Sequence, residues 1–225
     1  MEKNYLKVLP VTRSKEDARK AYDRIARYYD FTEGIFEKKH INKALGCLDI
    51  KKGETVLEIG PGTGNALVKV AESVGSNGFA YGIDISPKMV KIATRKIQNK
   101  GLLSRVRFTC GDAIKLPYKT GKFDAVFFSF TLELFDTPEI PIVLKEIKRV
   151  LKPGGRLGIV SLSKDCSKSL FIKLYEWAHL KFPKFIDCRP IYVSQYIKES
   201  GFDIHYKRKA KIFSAPLEIV IGIKN

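Results

Sequence analysis

The stretch VLEIGPGTG, residues 56–64, decides the fold of this chain. Thr55 to Ile59 is a short apolar and β-branched run, which predicts a strand, and the residues after Gly64 place apolar side chains at helical spacing. A strand that passes through a glycine loop into a helix opens many α/β folds, and a ligand then lies at the helix N-terminus. The stretch therefore predicts a binding site as well as a fold.

Strand and helix signals alternate from this stretch onward. Runs of apolar residues predict strands at 55–59, 79–85, 106–110, 123–130 and 156–162. Between them, Ser86-Pro87 reads as an N-cap followed by a first-turn proline, and the apolar residues of 140–151 recur at helical spacing. Two further runs, 202–206 and 216–223, are expected to close the sheet as an antiparallel pair. We predict an α/β fold with a doubly wound, mostly parallel sheet of seven strands and helices on both faces.

The segments outside this alternation predict the domain organisation. Residues 1–49 are expected to form an N-terminal helical cap, and a capping-box pattern from Ser14 to Asp17 begins its first helix. Residues 50–225 are expected to form the main domain. Within that domain, 164–190 is rich in aromatic residues and too interrupted for a strand, which indicates a helical insertion that acts as a lid. The basic run 207–211 is expected at the turn of the closing pair.

Composition excludes several classes of protein. The chain has 225 residues, 44% of them hydrophobic, which suits one domain with a small accessory lobe. No apolar run reaches the roughly 18 residues of a membrane-spanning helix. The N-terminus is charged where a signal peptide needs an apolar centre, and the four cysteines lack metal-ligand or CxxC spacing. We therefore expect a cytoplasmic protein with reduced thiols and no metal site.

Two common phosphate-binding motifs do not fit the glycine loop. A dinucleotide GxGxxG that starts at Gly60 needs a small residue at Asn65, and one that starts at Gly62 needs it at Leu67. The loop also lacks the GK[ST] ending of a P-loop. What the loop does match is ExGxGxG.

With this loop the chain resembles the class I S-adenosylmethionine-dependent methyltransferases, over about residues 50–163. Four motifs in the family's order carry the resemblance: VLEIGPGTG (56–64), GIDIS (82–86), GDA (111–113) and LKPGGRL (151–157). The resemblance implies the Rossmann-like methyltransferase fold and S-adenosyl-L-methionine as cofactor. It also implies that Asp84 accepts hydrogen bonds from both ribose hydroxyls and that Asp112 contacts the adenine amino group.

The residues expected to hold the cofactor come from these motifs and their neighbours. They are Glu58, Gly60, Pro61, Gly62, Gly64, Asp84, Ile85, Met89, Asp112, Ala113, Ser129 and Tyr29. Some have simpler interpretations: Asp84 as a helix cap, Asp112 as ordinary turn chemistry, and Tyr29 as a helix residue facing the core. A carboxylate at Asp84 nevertheless suits a pair of hydroxyl donors, because charge-assisted hydrogen bonds are strong.

The methyl acceptor is less constrained. AYDRIARYYD (21–30), together with the glycine-loop block, resembles the ubiquinone/menaquinone C-methyltransferase-like group (methyltransferase type 11) and its phospholipid N-methyltransferase neighbours. This implies a small lipophilic or aromatic acceptor, either quinone-like or a phospholipid headgroup. After the fourth strand, however, the quinone enzymes carry an Arg-Asn pair, whereas this chain reads SFTLELFD over residues 129–136. If the acceptor needs a base, Glu133 and Asp136 are the candidates, since both follow that strand.

The net charge of +17 leaves the partners open. It is compatible with peripheral contact with an anionic membrane, and it motivates the alternative of an RNA methyltransferase. A protein that binds the cofactor without catalysis is a third hypothesis. Because no RNA-binding module or nucleobase motif is present in the sequence, we favour in-line methyl transfer to a small-molecule acceptor, with nucleic acid the less favoured partner.

Overall fold

The computed structural model describes residues 8–11, 13–26, 34–165, 181, 188–212 and 215–225. Its strands are β1 (Thr55–Ile59), β2 (Phe79–Asp84), β3 (Val106–Cys110), β4 (Phe123–Ser129), β5 (Leu151–Leu162), β6 (Phe202–Ile212) and β7 (Ala215–Lys224). Its helices are α1 (Lys15–Ile25), α2 (Gly34–Leu48), α3 (Asn65–Ser73), α4 (Pro87–Asn99), α5 (Glu139–Val150) and α6 (Val193–Glu199). Short 3₁₀ turns cover Leu103–Arg105 and Leu132–Leu134.

The seven strands form one sheet in the order β3-β2-β1-β4-β5-β7-β6. The first five strands in this order are parallel, and β7 pairs antiparallel with both β5 and β6. This confirms the predicted doubly wound α/β fold. The order reverses between β1 and β4, and the crevice at the carboxyl ends of these two strands is where such sheets bind ligands.

Helices cover both faces of the sheet, and each face has its own core. On one face α2, α3 and α4 pack over a cluster that includes Leu48, Val70 and Ile97. On the other face α5 and α6 pack over a second cluster that includes Val143 and Tyr196. The strand β4 lies between the two clusters with five of its seven residues buried, as its almost wholly apolar sequence requires.

The N-terminal helix α1 lies against α4. Ser14 begins it as predicted, since its Oγ accepts a hydrogen bond from the Asp17 backbone N–H at 3.1 Å. Near the C-terminal end of α1, Asp23 Oδ1 accepts a hydrogen bond from the Ser86 hydroxyl at 2.6 Å. This bond links α1 to the N-terminus of α4, next to the glycine loop.

Two predictions about the C-terminal half were wrong. The strand β5 begins at Leu151 rather than at Arg156, because 153–155 lie within the strand as an irregularity: Leu151 pairs with Phe123, and Arg156 pairs with Ala125. The basic run 207–211 lies inside β6 and not at a turn, because the antiparallel pairing with β7 continues as far as Ile212.

The predicted boundaries of cap and lid remain predictions. Most of 164–190 lies outside the described residues, but its two ends are held together, because the Lys164 N–H donates to the Ile191 carbonyl at 3.0 Å. Of the predicted cap, α2 packs on the main sheet through Ile41, Ala44 and Leu48. Within the described part of the chain, no helix combines the length and the apolar character needed to cross a bilayer.

Candidate active site

The glycine loop forms a tight cradle at the carboxyl end of β1. Gly60 and Gly62 have φ of 63° and 54°, a left-handed conformation that L side chains rarely adopt. A Cβ atom at Gly60 would lie 2.4 Å from Thr131 Cγ2. The backbone of the loop can therefore approach both β4 and a ligand only because these positions are glycine.

Asp84 lies at the end of β2 beside this loop. Its Oδ2 accepts a hydrogen bond from the Gly62 N–H at 3.0 Å, and its Oδ1 accepts from the Ser86 N–H at 2.8 Å. The helix cap is Ser86, whose Oγ accepts from the Met89 N–H at 3.1 Å. Since an ionised carboxylate can accept about four hydrogen bonds, Asp84 keeps capacity for two hydroxyl donors. Burial raises the pKa of the Asp84 carboxyl to about 6, although hydrogen bonds from the backbone of Ser86, Gly62 and Ile85 oppose the shift.

Glu58 supplies a second carboxyl group to the wall of the same cavity. It is 1% exposed, and its Oε2 has no hydrogen-bond partner. Burial, followed by the charge of Asp84, raises the pKa of Glu58 to about 8. Orphaned buried polar atoms are uncommon in proteins. A carboxyl oxygen of this kind beside a glycine cradle fits a cationic ligand such as the proposed sulfonium cofactor.

Asp112 follows β3 and is held by residues on both sides. Its Oδ1 accepts from the Ile114 N–H at 3.1 Å, and its Oδ2 lies 2.6 Å from Lys15 Nζ. Lys15 also lies 2.6 Å from Glu139 Oε1. Burial opposes the charge on Lys15, yet its hydrogen bonds to the two carboxylates leave the pKa of Lys15 raised. Lys15 thus fastens α1 across the cavity, a contact that the sequence pattern did not indicate.

A cavity of about 1140 Å³ joins these groups. The predicted cofactor residues in its lining are Glu58, Gly60, Pro61, Gly62, Asp84, Ile85, Met89, Asp112, Ala113 and Ser129. Gly64 is not in the lining: it is the N-cap of α3, and a Cβ there would lie 3.0 Å from Ala93 Cβ. Because Gly64 has no side chain, α3 can pack closely against α4. Tyr29 lies outside the described residues.

The far wall of the cavity follows β4. Phe130, Leu134 and Phe135 give it apolar surface, and its polar residues are Ser129, Thr131, Asp136 and Glu139. The Asp136 Oδ1 accepts from the Thr137 N–H at 2.8 Å and from the Val11 N–H at 3.0 Å. Asp136 therefore lies where the sequence placed it, and it also anchors the N-terminal segment.

Glu133, the other predicted base, is not part of the cavity lining. Its side chain is fully buried and turns toward β5, where Oε1 accepts from the Leu162 N–H at 3.2 Å. Burial raises the pKa of Glu133 to about 7, against the opposing effect of its hydrogen bonds and of Arg189. The expectation that Glu133 faces the transferred methyl group is not met, because the 3₁₀ turn after β4 directs it away.

Arg189 is a buried residue of this region that sequence reasoning missed. It is 1% exposed, its Nη1 donates to Thr137 Oγ1 at 3.1 Å, and its Nη2 donates to the Phe135 carbonyl. These bonds fix the segment that carries Phe135 and Asp136 at the cavity. Burying an arginine is energetically costly, so a buried arginine usually has a structural or functional role. The sequence does not show that Arg189 is buried, because it lies in a segment for which no helix or strand was predicted.

Comparison with known proteins identifies the family of this chain. A family model described as a methyltransferase domain matches residues 56–155. Over 180 residues the chain is 34% identical to a demethylmenaquinone methyltransferase of Lactobacillus johnsonii, a match covering 76% of this chain and 70% of that protein. The chain belongs to the class I S-adenosylmethionine-dependent methyltransferases. A second relative, the demethylmenaquinone methyltransferase of Staphylococcus aureus, is 32% identical, with 89% and 81% of the two chains covered.

The fold of the methyltransferase matches solved structures as well. A S-adenosylmethionine-dependent methyltransferase from Aquifex aeolicus superposes with a TM-score of 0.68 at 23% identity, covering 90% of this chain and 98% of that one. The predicted enzyme class and cofactor are therefore confirmed.

Proposed function

We propose that this methyltransferase transfers a methyl group to a small, lipophilic, quinone-like acceptor. The observation that carries the proposal is the lining of the cavity, in which we assign the carboxyl groups Glu58, Asp84 and Asp112 to a cofactor end and the side chains of Phe130, Leu134, Phe135 and Asp136 to an acceptor end. Its volume of about 1140 Å³ exceeds the roughly 300–1,000 Å³ of typical single-ligand pockets. The cavity thus has room for an acceptor beside the cofactor.

The chemistry of the two ends supports different partners. Asp84 has acceptor capacity for the ribose hydroxyls, Asp112 is suited to the adenine, and Glu58 faces the cationic end of the cofactor. Phe130, Leu134 and Phe135 line the acceptor end and suit a ring system with an apolar tail. The names of the relatives from Lactobacillus johnsonii and Staphylococcus aureus support a quinone-like acceptor in particular.

In the proposed reaction the protein mainly positions its substrates. When bound, the cofactor supplies a methyl group on a sulfonium, from which it is displaced in line by the acceptor. The glycine cradle fixes one partner and the apolar wall fixes the other, which lowers the entropic cost of their alignment. The same wall excludes water. Asp136 is the proposed base, because it is a carboxylate of the acceptor end and can take the proton that a phenol or enol loses.

The proposal is tested by methyl transfer from radiolabelled cofactor to three acceptors. These are demethylmenaquinone with a short prenyl tail, reduced to its quinol by added dithionite so that it is nucleophilic and carries the phenol proton, phosphatidylethanolamine vesicles and total RNA. We expect label in the quinone, and we expect Asp136→Asn to lower that rate by about 10²-fold or more if the carboxylate is the base. Label in RNA alone or in phosphatidylethanolamine alone is incompatible with the proposal.

A further inference from the structure

The basic residues of β6 fall into two groups with different surroundings. Lys207 Nζ lies 3.0 Å from both Asp165 Oδ2 and Glu218 Oε1, and Lys209 lies 3.6 Å from Asp165 Oδ2. Alternate residues of a strand point to opposite sides. Lys207 and Lys209 are thus partly neutralised on one side of β6, while Arg208 between them points to the other side.

Arg208 lies on the side of β6 that faces α2. Tyr206 and Ala210, which share that side of the strand, pack against the cluster that contains Ile41 and Ala44 of α2. Burial lowers the pKa of His40, and the nearby charges of Lys39 and Arg208 lower it further. Lys43 follows Lys39 by four residues on α2, and side chains at this spacing share one face of a helix.

We call the exposed side chains of Lys38, Lys39, Lys43 and Arg208 the basic face. In the part of the chain that the structure describes, no carboxylate lies within salt-bridge distance of these four side chains, in contrast to Lys207 and Lys209. A concentration of unpaired positive charge is unfavourable unless an anionic partner approaches it. The face is therefore a candidate interaction surface.

The basic face ends at the active site. Lys38 lines the cavity together with Lys69 of α3. Burial, followed by the charge of Lys38, lowers the pKa of Lys69, and the Lys69 ammonium group donates a hydrogen bond to Asn42 Oδ1 of α2. Beside them the cavity wall is apolar, with Ile41, Ala66 and Val68. Positive charge at the rim and apolar surface inside is the arrangement expected of a site that takes a lipophilic molecule from an anionic surface.

We infer that the basic face binds the surface of an anionic lipid bilayer and turns the cavity toward it. The suggestion that docking delivers the acceptor to the cavity depends on the proposed lipophilic acceptor. The docking itself is inferred from the charge of the basic face alone. RNA is the less suitable partner, because single-stranded RNA recognition needs exposed aromatic rings on which bases stack. Among the described residues the only large exposed aromatic side chain is Phe79, which begins β2 in the other half of the sheet.

The test is binding to vesicles of phosphatidylcholine and phosphatidylglycerol (7:3), with pure phosphatidylcholine vesicles as reference, in about 0.15 M salt. The variant Lys39→Gln/Lys43→Gln/Arg208→Gln removes three charges of the face and spares Lys38, which lines the cavity. Each basic residue near an anionic bilayer contributes about 1 kcal/mol, or about fivefold in binding. We therefore expect the variant to partition onto the anionic vesicles about a hundredfold more weakly.

The matched control is Lys119→Gln/Lys145→Gln/Lys198→Gln. These lysines are also exposed and have no ion pair among the described residues. The control variant therefore loses three positive charges, as the first variant does. They lie on the side of the sheet covered by α5 and α6. An equal loss in both variants means that net charge alone binds the bilayer, which overturns the assignment of the face. Unchanged binding of the first variant overturns it as well.

Two further measurements separate this inference from its alternatives. If the first variant loses affinity for total RNA and keeps its affinity for vesicles, the face is a nucleic-acid surface and the inference is wrong. Methyl transfer to the short-tailed demethylmenaquinone in solution separates docking from function. A wild-type protein that binds anionic vesicles but does not methylate this acceptor contradicts the proposed function and leaves the docking in place.

Discussion

The carboxyl ends of β1 and β4 each carry a glutamate, and the two differ in what they face. Glu58 and Glu133 are both almost completely buried, each has one oxygen without a partner, and burial raises their pKa values to about 8 and about 7. Glu58 lies in the wall of the cavity. Glu133 turns toward the backbone of β5 and toward Arg189.

The difference comes from the backbone that carries each side chain. Glu58 lies within β1, where alternation fixes the side toward which a residue points. Glu133 lies in the 3₁₀ turn after Phe130, whose φ is 50°. That left-handed residue redirects the chain. The direction in which the Glu133 side chain points therefore cannot be predicted from its distance to the end of β4. A motif inside a strand therefore locates a functional group more securely than one in the turn that follows.

The largest expected effect is on the β4 side of this comparison. Arg189→Met leaves Thr137 Oγ1 and the Phe135 carbonyl without the guanidinium that donates to them, and each buried acceptor left unsatisfied costs about 1–3 kcal/mol. We expect a fall in Tm of roughly 10 °C, measured by calorimetry. The control Arg95→Met changes an exposed arginine of α4 and is expected to alter stability by less than about 0.5 kcal/mol. Similar Tm values for the two variants would mean that Arg189 does not stabilise this region.

The next effect is on the cofactor end. Asp84→Ala removes the proposed acceptor for the ribose hydroxyls, and we expect cofactor affinity to fall tenfold or more, about 1.4 kcal/mol, in titration calorimetry. Asp124→Ala is the control, because Asp124 lies away from the cavity. It accepts a hydrogen bond from the Thr55 N–H at 2.9 Å at the amino end of β1. Its loss is expected to lower stability and to leave cofactor affinity unchanged.

The same site gives a pH dependence. Since burial raises the pKa of Asp84 to about 6, the carboxyl becomes protonated below that pH and loses acceptor capacity. Cofactor affinity of the wild type should therefore fall as pH drops from 7 to 5. In Asp84→Asn the affinity should be lower, and its fall between pH 7 and 5 should be shallower than in the wild type, because only the dependence that comes from Glu58, with a pKa of about 8, remains; an unchanged wild-type slope in that variant assigns the dependence to groups other than Asp84.

A smaller effect separates the two glutamates directly. With a pKa of about 8, Glu58 is mostly protonated at pH 7 before the cofactor binds. A cation in the cavity favours the ionised form, so binding should release up to about one proton. Calorimetry in buffers of different ionisation enthalpy measures this release. Glu58→Gln should abolish it and Glu133→Gln should not; the reverse result would exchange the roles of the two residues.

The smallest expected effect is on catalysis in Glu133→Gln. Because Glu133 lies outside the cavity lining and the glutamine oxygen can still accept from the Leu162 N–H, the kcat should change by no more than a few-fold. Loss of a general base lowers a rate by about 10²–10⁴-fold. A loss of that size in Glu133→Gln, with Asp136→Asn close to wild type, would restore Glu133 as the base.

Local sequence patterns predicted much of the fold and the cofactor end of the site. The run TVLEI coincides with β1, Ser86 caps α4, and Asp84 ends β2 beside the glycine loop. Lys15 and Arg189 were not predicted, because each acts on residues far away in the chain. Lys15 reaches Asp112 across 97 positions, and Arg189 reaches Phe135 across 54. No periodicity or motif links positions at such separations.

The sequence by itself determined the parallel sheet, the position of the glycine loop and the acids at the ends of β1 and β2. These depend on alternation, turn chemistry and glycine conformation, which act over a few residues. Only the tertiary structure decided that Glu133 faces away from the cavity, that Gly64 serves helix packing, and that Arg208 lies on the side of β6 that faces α2 while Lys207 is neutralised. These outcomes depend on the packing of distant elements, where burial and charge are set by neighbours that local sequence does not specify.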